Sequence, residues 1–195
     1  ITEYDEVIEK HFLDSISLCQ VYDLSKPVKI LDMGTGAGFP GVPLKIAFPE
    51  VEITLADSLN KRIKFLNEVI NQLGLEKITA IHGRAEEFAR KEEYREQFDL
   101  CVSRAVANLA TLSEYCLPYV KKNGYFIPYK SGAIEEEIET SKKAVGVLGG
   151  KIKEIKTFEL PDSDIARSLV IIKKEKETPK KYPRSGGKPT KEPII

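Results

Sequence analysis

A chain of 195 residues, 42% apolar and 31% charged, has enough material for one globular core. It holds no apolar run near the ~18 residues that a membrane-spanning helix needs. Thirty basic and thirty acidic side chains cancel, and its three cysteines stand far apart, which argues against zinc fingers, disulfide scaffolds and a uniformly basic nucleic-acid binder.

Cys19, Cys101 and Cys116 lack a CxxC or Cys/His pattern, so buried free thiols in a reducing, cytoplasmic compartment are expected, with no metal. His11 and His82 lack metal-ligand spacing and read as surface or structural residues. No signal-peptide pattern is present. Because the chain opens on Ile rather than Met, a truncated N-terminal segment is expected.

Val7, Ile8, His11, Phe12, Ser15 and Ile16 fall near one helical face, which predicts a helix over Tyr4–Leu18. Val28–Asp32 is a first strand running into the glycine-rich turn MGTGAGFPG, with Pro40 suited to the first turn of a short helix reaching Phe48. A second strand, Glu52–Ala56, ends at Asp57. Asn60–Leu73 is a helix with Ile63, Leu66, Val69, Ile70 and Leu73 as its apolar stripe, stopped by Gly74. A third strand, Ile78–His82, leads into GRAEEF and a short helix. A fourth, Phe98–Ser103, leads into RAVAN and a helix through Val120. Gly124–Lys130 is a fifth strand, Ile134–Leu148 a further helix, and Lys151–Leu160 with Arg167–Lys174 a closing hairpin.

Strand–helix alternation of this kind specifies a parallel sheet covered on both faces. The expected fold is α/β: a Rossmann-like, seven-stranded, mostly parallel sheet with helices on both faces and a C-terminal β-hairpin, the class I methyltransferase arrangement. The expected organisation is an N-terminal helical segment (1–24), a methyltransferase domain (25–175) and a basic C-terminal tail (176–195). From Lys173 to Ile195 eight Lys/Arg oppose three Glu, a net +5 on a body of −5. Such a tail is either a solvated end or a segment that meets a polyanion, and Tyr182 among its cations favours RNA.

The glycine loop admits two cofactors. Gly36, Gly38 and Gly41 satisfy GxGxxG, and Asp57 lies 21 residues beyond Gly36, the spacing of an NAD fingerprint with its ribose-binding acid. The same parts serve S-adenosylmethionine. Pro40 crowds a pyrophosphate, no second dinucleotide half or hydride-transfer group is visible, and the closing hairpin suits a methyltransferase, so the methyl donor is favoured. An NAD(P)-dependent oxidoreductase and a non-catalytic cofactor- and RNA-binding module remain the alternatives.

In an open α/β sheet the ligand sits beyond the carboxyl ends of the strands, where strand order reverses. The loops Gly34–Phe39 and Ser103–Arg104 then face each other. The expected cofactor contacts are Gly34, Gly36, Gly38 and Phe39 at the methionine end, and Asp57, Ser58 and Leu59 near the ribose. Arg104 is expected in the transfer zone, on the acceptor, a phosphate or the cofactor carboxylate. Lys130 is a weaker candidate for an RNA phosphate, Arg167 reads as structural, and Lys180, Lys181, Arg184 and Lys188 are the expected RNA contacts of the tail. No (N/D)PP(Y/F) turn for an exocyclic amine follows the fourth strand, and Cys101 reads as core rather than as a nucleophile.

HxLDS near the start, LDMGTGAGFPGVPL, LADSLNKRIKFL, GRAEEF, FDLCVSRAVANL and KKYPRxxGxPxKxPI occur in this order from His11 to the C-terminus. The pattern resembles the bacterial 16S rRNA (guanine-N7) methyltransferase family, also called glucose-inhibited division protein B. The resemblance implies S-adenosylmethionine as cofactor, Ala85 and Glu86 against its adenine, and guanine N7 of 16S rRNA or the small ribosomal subunit as acceptor. The chain departs from the family where an LKG strand end is here Tyr129-Lys130-Ser131-Gly132, and where a longer N-terminal helical segment is usual.

Overall fold

The computed structural model describes residues 7–104, 107–132, 134–161 and 163–195. The first three residues of the expected Tyr4–Leu18 helix, and Ala105 and Val106 of RAVAN, lie outside them.

Seven strands form one sheet: β1 (Lys29–Met33), β2 (Glu52–Asp57), β3 (Ile78–His82), β4 (Phe98–Ser103), β5 (Val120–Ser131), β6 (Gly150–Glu159) and β7 (Ala166–Lys174). Their order is β3-β2-β1-β4-β5-β7-β6. The first five pair in parallel, and β7 runs antiparallel to both β5 and β6. The expected seven-stranded, mostly parallel sheet with its closing hairpin is therefore found.

Alternation along each strand builds two cores. Ile30, Ile127 and Ile171 face one side of the sheet, while their neighbours Leu31, Phe126 and Ile172 face the other. The first side is covered by α2 (Gly41–Ala47) and α3 (Asn60–Gln72), which contribute Val42, Leu44, Ile63 and Leu66. The second is covered by α4 (Ala85–Phe88), α5 (Leu109–Cys116) and α6 (Glu135–Val147), through Phe88, Leu112 and Ile138. Burial on both faces is why the central strands read as continuous apolar runs. The outer strand β6 instead carries Lys151, Lys153 and Lys156, which keep an open edge soluble.

Five expectations are corrected. The helix expected to reach Val120 ends at Cys116, because the chain tightens into a 3-10 turn at Leu117–Tyr119 around Pro118, which has no N–H to give. β5 then begins at Val120, earlier than Gly124; exposed Lys121, Lys122 and Asn123 disguise its first residues. Near the N-terminus a π-helical stretch, Ile8–Leu13, runs into α1 (Asp14–Ile16) and a 3-10 turn, Ser17–Gln20. The changed angular spacing turns Ile8 and Phe12 outward and buries Asp14 and Ser15. On α3 the stripe is also shorter than expected: Leu73 is exposed. Cys101 and Cys116 are buried as expected, but Cys19 is exposed.

The basic tail lies against the body. Thr178, Pro183 and Pro189 are buried, and α7 (Lys188–Lys191) forms a single turn. Lys180, Lys181 and Lys188 are exposed, whereas Arg184 is engaged by Glu114. Among the described residues no helix is long and apolar enough to cross a membrane.

Candidate active site

The chain leaves β1 for β2 and β3 on one side, then returns to β4 on the other, so a crevice opens beyond the carboxyl ends of β1 and β4. Gly34 and Thr35 N–H both donate to the Ala56 carbonyl, at 2.9 and 3.1 Å, which bends the chain off β1 and over β2. Asp32, at 0% exposure, ties the loop to the helix behind it: its Oδ2 accepts from the Thr35 hydroxyl at 2.7 Å and the Gly41 N–H at 2.9 Å. At Gly41 a Cβ would stand 2.3 Å from Leu55 and 2.9 Å from that carboxylate, so only glycine lets α2 start this close to the sheet.

Burial pushes Asp32 up to about 6, against the Thr35 and Gly41 hydrogen bonds that hold it down. Its Oδ1 has no hydrogen-bond partner among the described residues. A carboxyl raised above its unfolded value of about 3.8 binds more protons when folded, so stability falls as pH rises from about 4 to 6 and is level above. Asp32→Asn removes that slope. We expect the unfolding free energy of the variant to gain on wild type by about 3 kcal/mol between pH 4 and 7. Urea unfolding at pH 4, 5.5 and 7 measures it, and a pH-independent difference would count against the assignment.

A cavity of about 420 Å³ lies along the crevice, lined by Gly34, Asp57, Ser58, Ala85 and Glu86 from the expected set. Ser103, expected to face this crevice, lines it too; sequence reasoning missed other walls, among them Arg62, Leu112 and Tyr115. Ser103 Oγ donates to the Met33 carbonyl at 2.8 Å and pins β4 to β1 at the cavity floor. Gly36, Gly38, Phe39, Leu59 and Arg104 do not line it. Two of these act behind the wall: the Gly36 N–H donates to Asp57 Oδ2 at 3.0 Å and the Leu59 N–H to Asp57 Oδ1 at 2.9 Å. Together they fix a carboxylate whose side chain is 2% exposed. Arg62, half exposed, covers its outer side at 3.1 Å.

Arg104 faces a second cavity of about 570 Å³, which meets the first at Ala107. Its Nη1 donates to Asp14 Oδ2 at 3.1 Å, its Nη2 to His11 Nδ1 at 2.7 Å, and its guanidinium lies over the Phe39 ring at 5.3 Å. Burial first, and the charge of Arg104 second, hold the His11 imidazole below its ordinary range. The ring is thus neutral at pH 7, with Nδ1 as acceptor, since Nη2 can only donate. Asp14 Oδ1 accepts from Arg167 Nε at 3.2 Å, so one buried carboxylate holds two arginines. Arg167, expected to be structural, therefore belongs to this cavity. Lys130 lines it too, bound to Glu137 at 2.6 Å and to the Ala107 carbonyl at 2.6 Å. Four cationic and two carboxylate side chains give the cavity a positive balance.

Solved structures of similar fold include an S-adenosylmethionine-dependent methyltransferase from Aquifex aeolicus, with TM-score 0.62 and 16% identity over 86% of this chain and 92% of that one. They also include the [4+2]-cyclase SpnF, with TM-score 0.64 and 12% identity over 83% of this chain and 79% of that one. At such identities the likeness is one of fold alone, and the two proteins are named for different chemistries. Sequence relatives are far more similar. A protein of Lachnoclostridium phytofermentans named ribosomal RNA small subunit methyltransferase G is 64% identical over all of this chain and 81% of the relative. One of the same name from Clostridium novyi is 55% identical over all of this chain and 80% of the relative. The GidB family profile, described as rRNA small subunit methyltransferase G, matches residues 1–169. The chain belongs to the rRNA small subunit methyltransferase G family.

Proposed function

We propose that the protein methylates N7 of a guanine in 16S rRNA with S-adenosylmethionine, in the cytoplasm, with residues 25–175 as the catalytic body. Family membership supports the acceptor, and the observation that carries the reading is the pair of adjoining cavities, one with a fixed carboxylate and one with a positive lining.

The first cavity fits the cofactor. Its volume lies in the ~300–1,000 Å³ range of small-molecule sites. Asp57 offers an acceptor-only carboxylate to a vicinal diol, Ala85 and Glu86 line the far end, and Gly34 brings bare backbone to the near end. S-adenosylmethionine, when bound, supplies a methyl group already activated by its sulfonium. The half-exposed Arg62 has to swing from the outer side of Asp57 for the diol to reach it.

Guanine N7 carries an in-plane lone pair and no proton, so the residues of the second cavity have to hold and orient rather than deprotonate. Arg104 is held at the boundary by Asp14 and by the neutral His11, and Arg167 beside it extends the positive lining. Arg and Lys side chains so arranged suit guanine O6, which leaves the N7 lone pair free for the methyl group, or a phosphate. Lys180, Lys181 and Lys188, exposed on the tail, supply further phosphate contacts.

The test is transfer of labelled methyl from S-adenosylmethionine to small ribosomal subunits lacking N7-methylguanine. Label recovered as N7-methylguanine in the rRNA is expected. Confirmed cofactor binding with no label would return the chain to the non-catalytic module, and binding of NAD(P) in place of the methyl donor to the oxidoreductase.

A further inference from the structure

We propose that the C-terminal segment from Thr178 to Lys191 is a strap that sets the shape of the cofactor cavity, with Arg184 and Glu114 as its positioning pair. The inference rests on the first cavity being the S-adenosylmethionine site.

The two walls of that cavity away from the glycine loop are separate in the chain. One is the turn into α4, with Arg84, Ala85 and Glu86; the other is α5, with Leu112 and Tyr115. The strap is bonded to what stands behind both. Behind the α4 wall, Arg95 donates to the Thr178 carbonyl at 2.8 Å and the Tyr182 carbonyl at 3.0 Å, and Arg90 to the Pro183 carbonyl at 3.0 Å. On α5, the Thr111 hydroxyl donates to the Pro189 carbonyl at 2.9 Å, and the Tyr115 hydroxyl lies 3.1 Å from Thr190 Oγ1. Tyr115 thus touches the strap with its hydroxyl and is itself part of the cavity wall. Between these attachments, Ser185 and Gly186 share a cleft of about 320 Å³ with Arg84 and Glu86, the residues of the cavity's α4 wall.

Glu114 supplies the decisive observation. It sits on α5 one residue before Tyr115 with its side chain 1% exposed, a position where an unpaired carboxylate is costly. Arg184 satisfies it threefold: its backbone N–H donates to Oε1 at 2.7 Å, its Nε to the same oxygen at 2.9 Å and its Nη2 to Oε2 at 2.7 Å. The Arg184 Nη2 also reaches the Glu192 carbonyl at 2.7 Å, just past the end of the strap. A guanidinium spent in this way is not offered to a phosphate, so the cation most embedded in the tail serves the cofactor and the exposed lysines serve the RNA.

Arg184→Gln tests the strap by calorimetric titration with S-adenosylmethionine, and by binding to small subunits over a range of salt. We expect the cofactor dissociation constant to rise about tenfold, with RNA affinity and its salt slope unchanged. An unchanged cofactor affinity, or a salt slope shallower by about one, would overturn the proposal, the latter by placing Arg184 on a phosphate. Should the variant not fold, hydrogen exchange on the wild-type protein decides. Coupling is reciprocal, so saturating S-adenosylmethionine slows exchange of the Tyr182, Thr190 and Lys191 amides, which are hydrogen-bonded within the strap. Exchange there that ignores the cofactor would overturn it equally. Wild-type protein that fails to bind S-adenosylmethionine would remove the reading of the cavity itself, a different failure from a strap that proves uncoupled.

Discussion

Asp57→Ala is expected to weaken S-adenosylmethionine binding by about 100-fold or more. The carboxylate is nearly buried, and its two oxygens are aimed by the Gly36 and Leu59 N–H groups. Hydrogen bonds to a charged group are worth ~1.5–3 kcal/mol each, so losing two costs about 3 kcal/mol or more of binding. The alanine also strands two backbone donors, so a melt must accompany the titration. Asp57→Asn keeps an acceptor and loses the charge, and should fall between wild type and alanine. Arg62→Ala separates the contributions: it removes the competitor for Asp57 and should bind the cofactor no worse than wild type. Wild-type affinity in a folded Asp57→Asn protein would place the ribose elsewhere in the cavity.

Arg104→Ala should lower methyl transfer by about 100-fold while cofactor affinity stays within a few-fold, because Arg104 lines the second cavity and not the first. Misplacement by about an ångström is enough for a loss of this size. Asp14→Asn is the sharper test. It leaves both arginines in place but removes the charge that holds them, so transfer should fall by about tenfold, expressed in kcat more than in the KM for the cofactor. Single-turnover methylation of subunits at saturating cofactor measures both variants. Full transfer by Arg104→Ala would show that the positive lining plays no part in the reaction. Full transfer by Asp14→Asn would show that the arginines need no clamp.

The fold was largely legible because central strands of a parallel sheet are short apolar runs between glycines and polar turns. β4 falls on its predicted bounds for that reason. The lining of the first cavity was legible where it is local to one strand end, as at Gly34, Asp57 and Ala85. It was not legible where residues work through others. Gly36 and Leu59 act by fixing Asp57 rather than by lining the cavity, a distinction that spacing does not carry. Leu112 and Tyr115 face the cavity only because α5 packs where it does. The Asp14 clamp joins residues 90 and 153 positions apart, and Arg184 finds Glu114 across 70. Local periodicity holds no signal for such pairs. The tail looks solvated in sequence for a similar reason: its anchors are Thr178, Pro183 and Pro189, with no apolar stripe to announce them.

The place of β7 in the sheet has a consequence for how the protein is made. β6 leaves the ribosome before β7, yet β7 stands between it and the rest of the sheet. A nascent chain that has reached Leu160 therefore carries an unpaired edge on β5 and a lysine-rich strand with nowhere to join. The same late strand brings Arg167 to Asp14, one of the first described residues to be synthesised. A copy stalled or cleaved before that point lacks one of the two arginines that Asp14 holds, so the second cavity acquires its full positive lining only once β7 has been made.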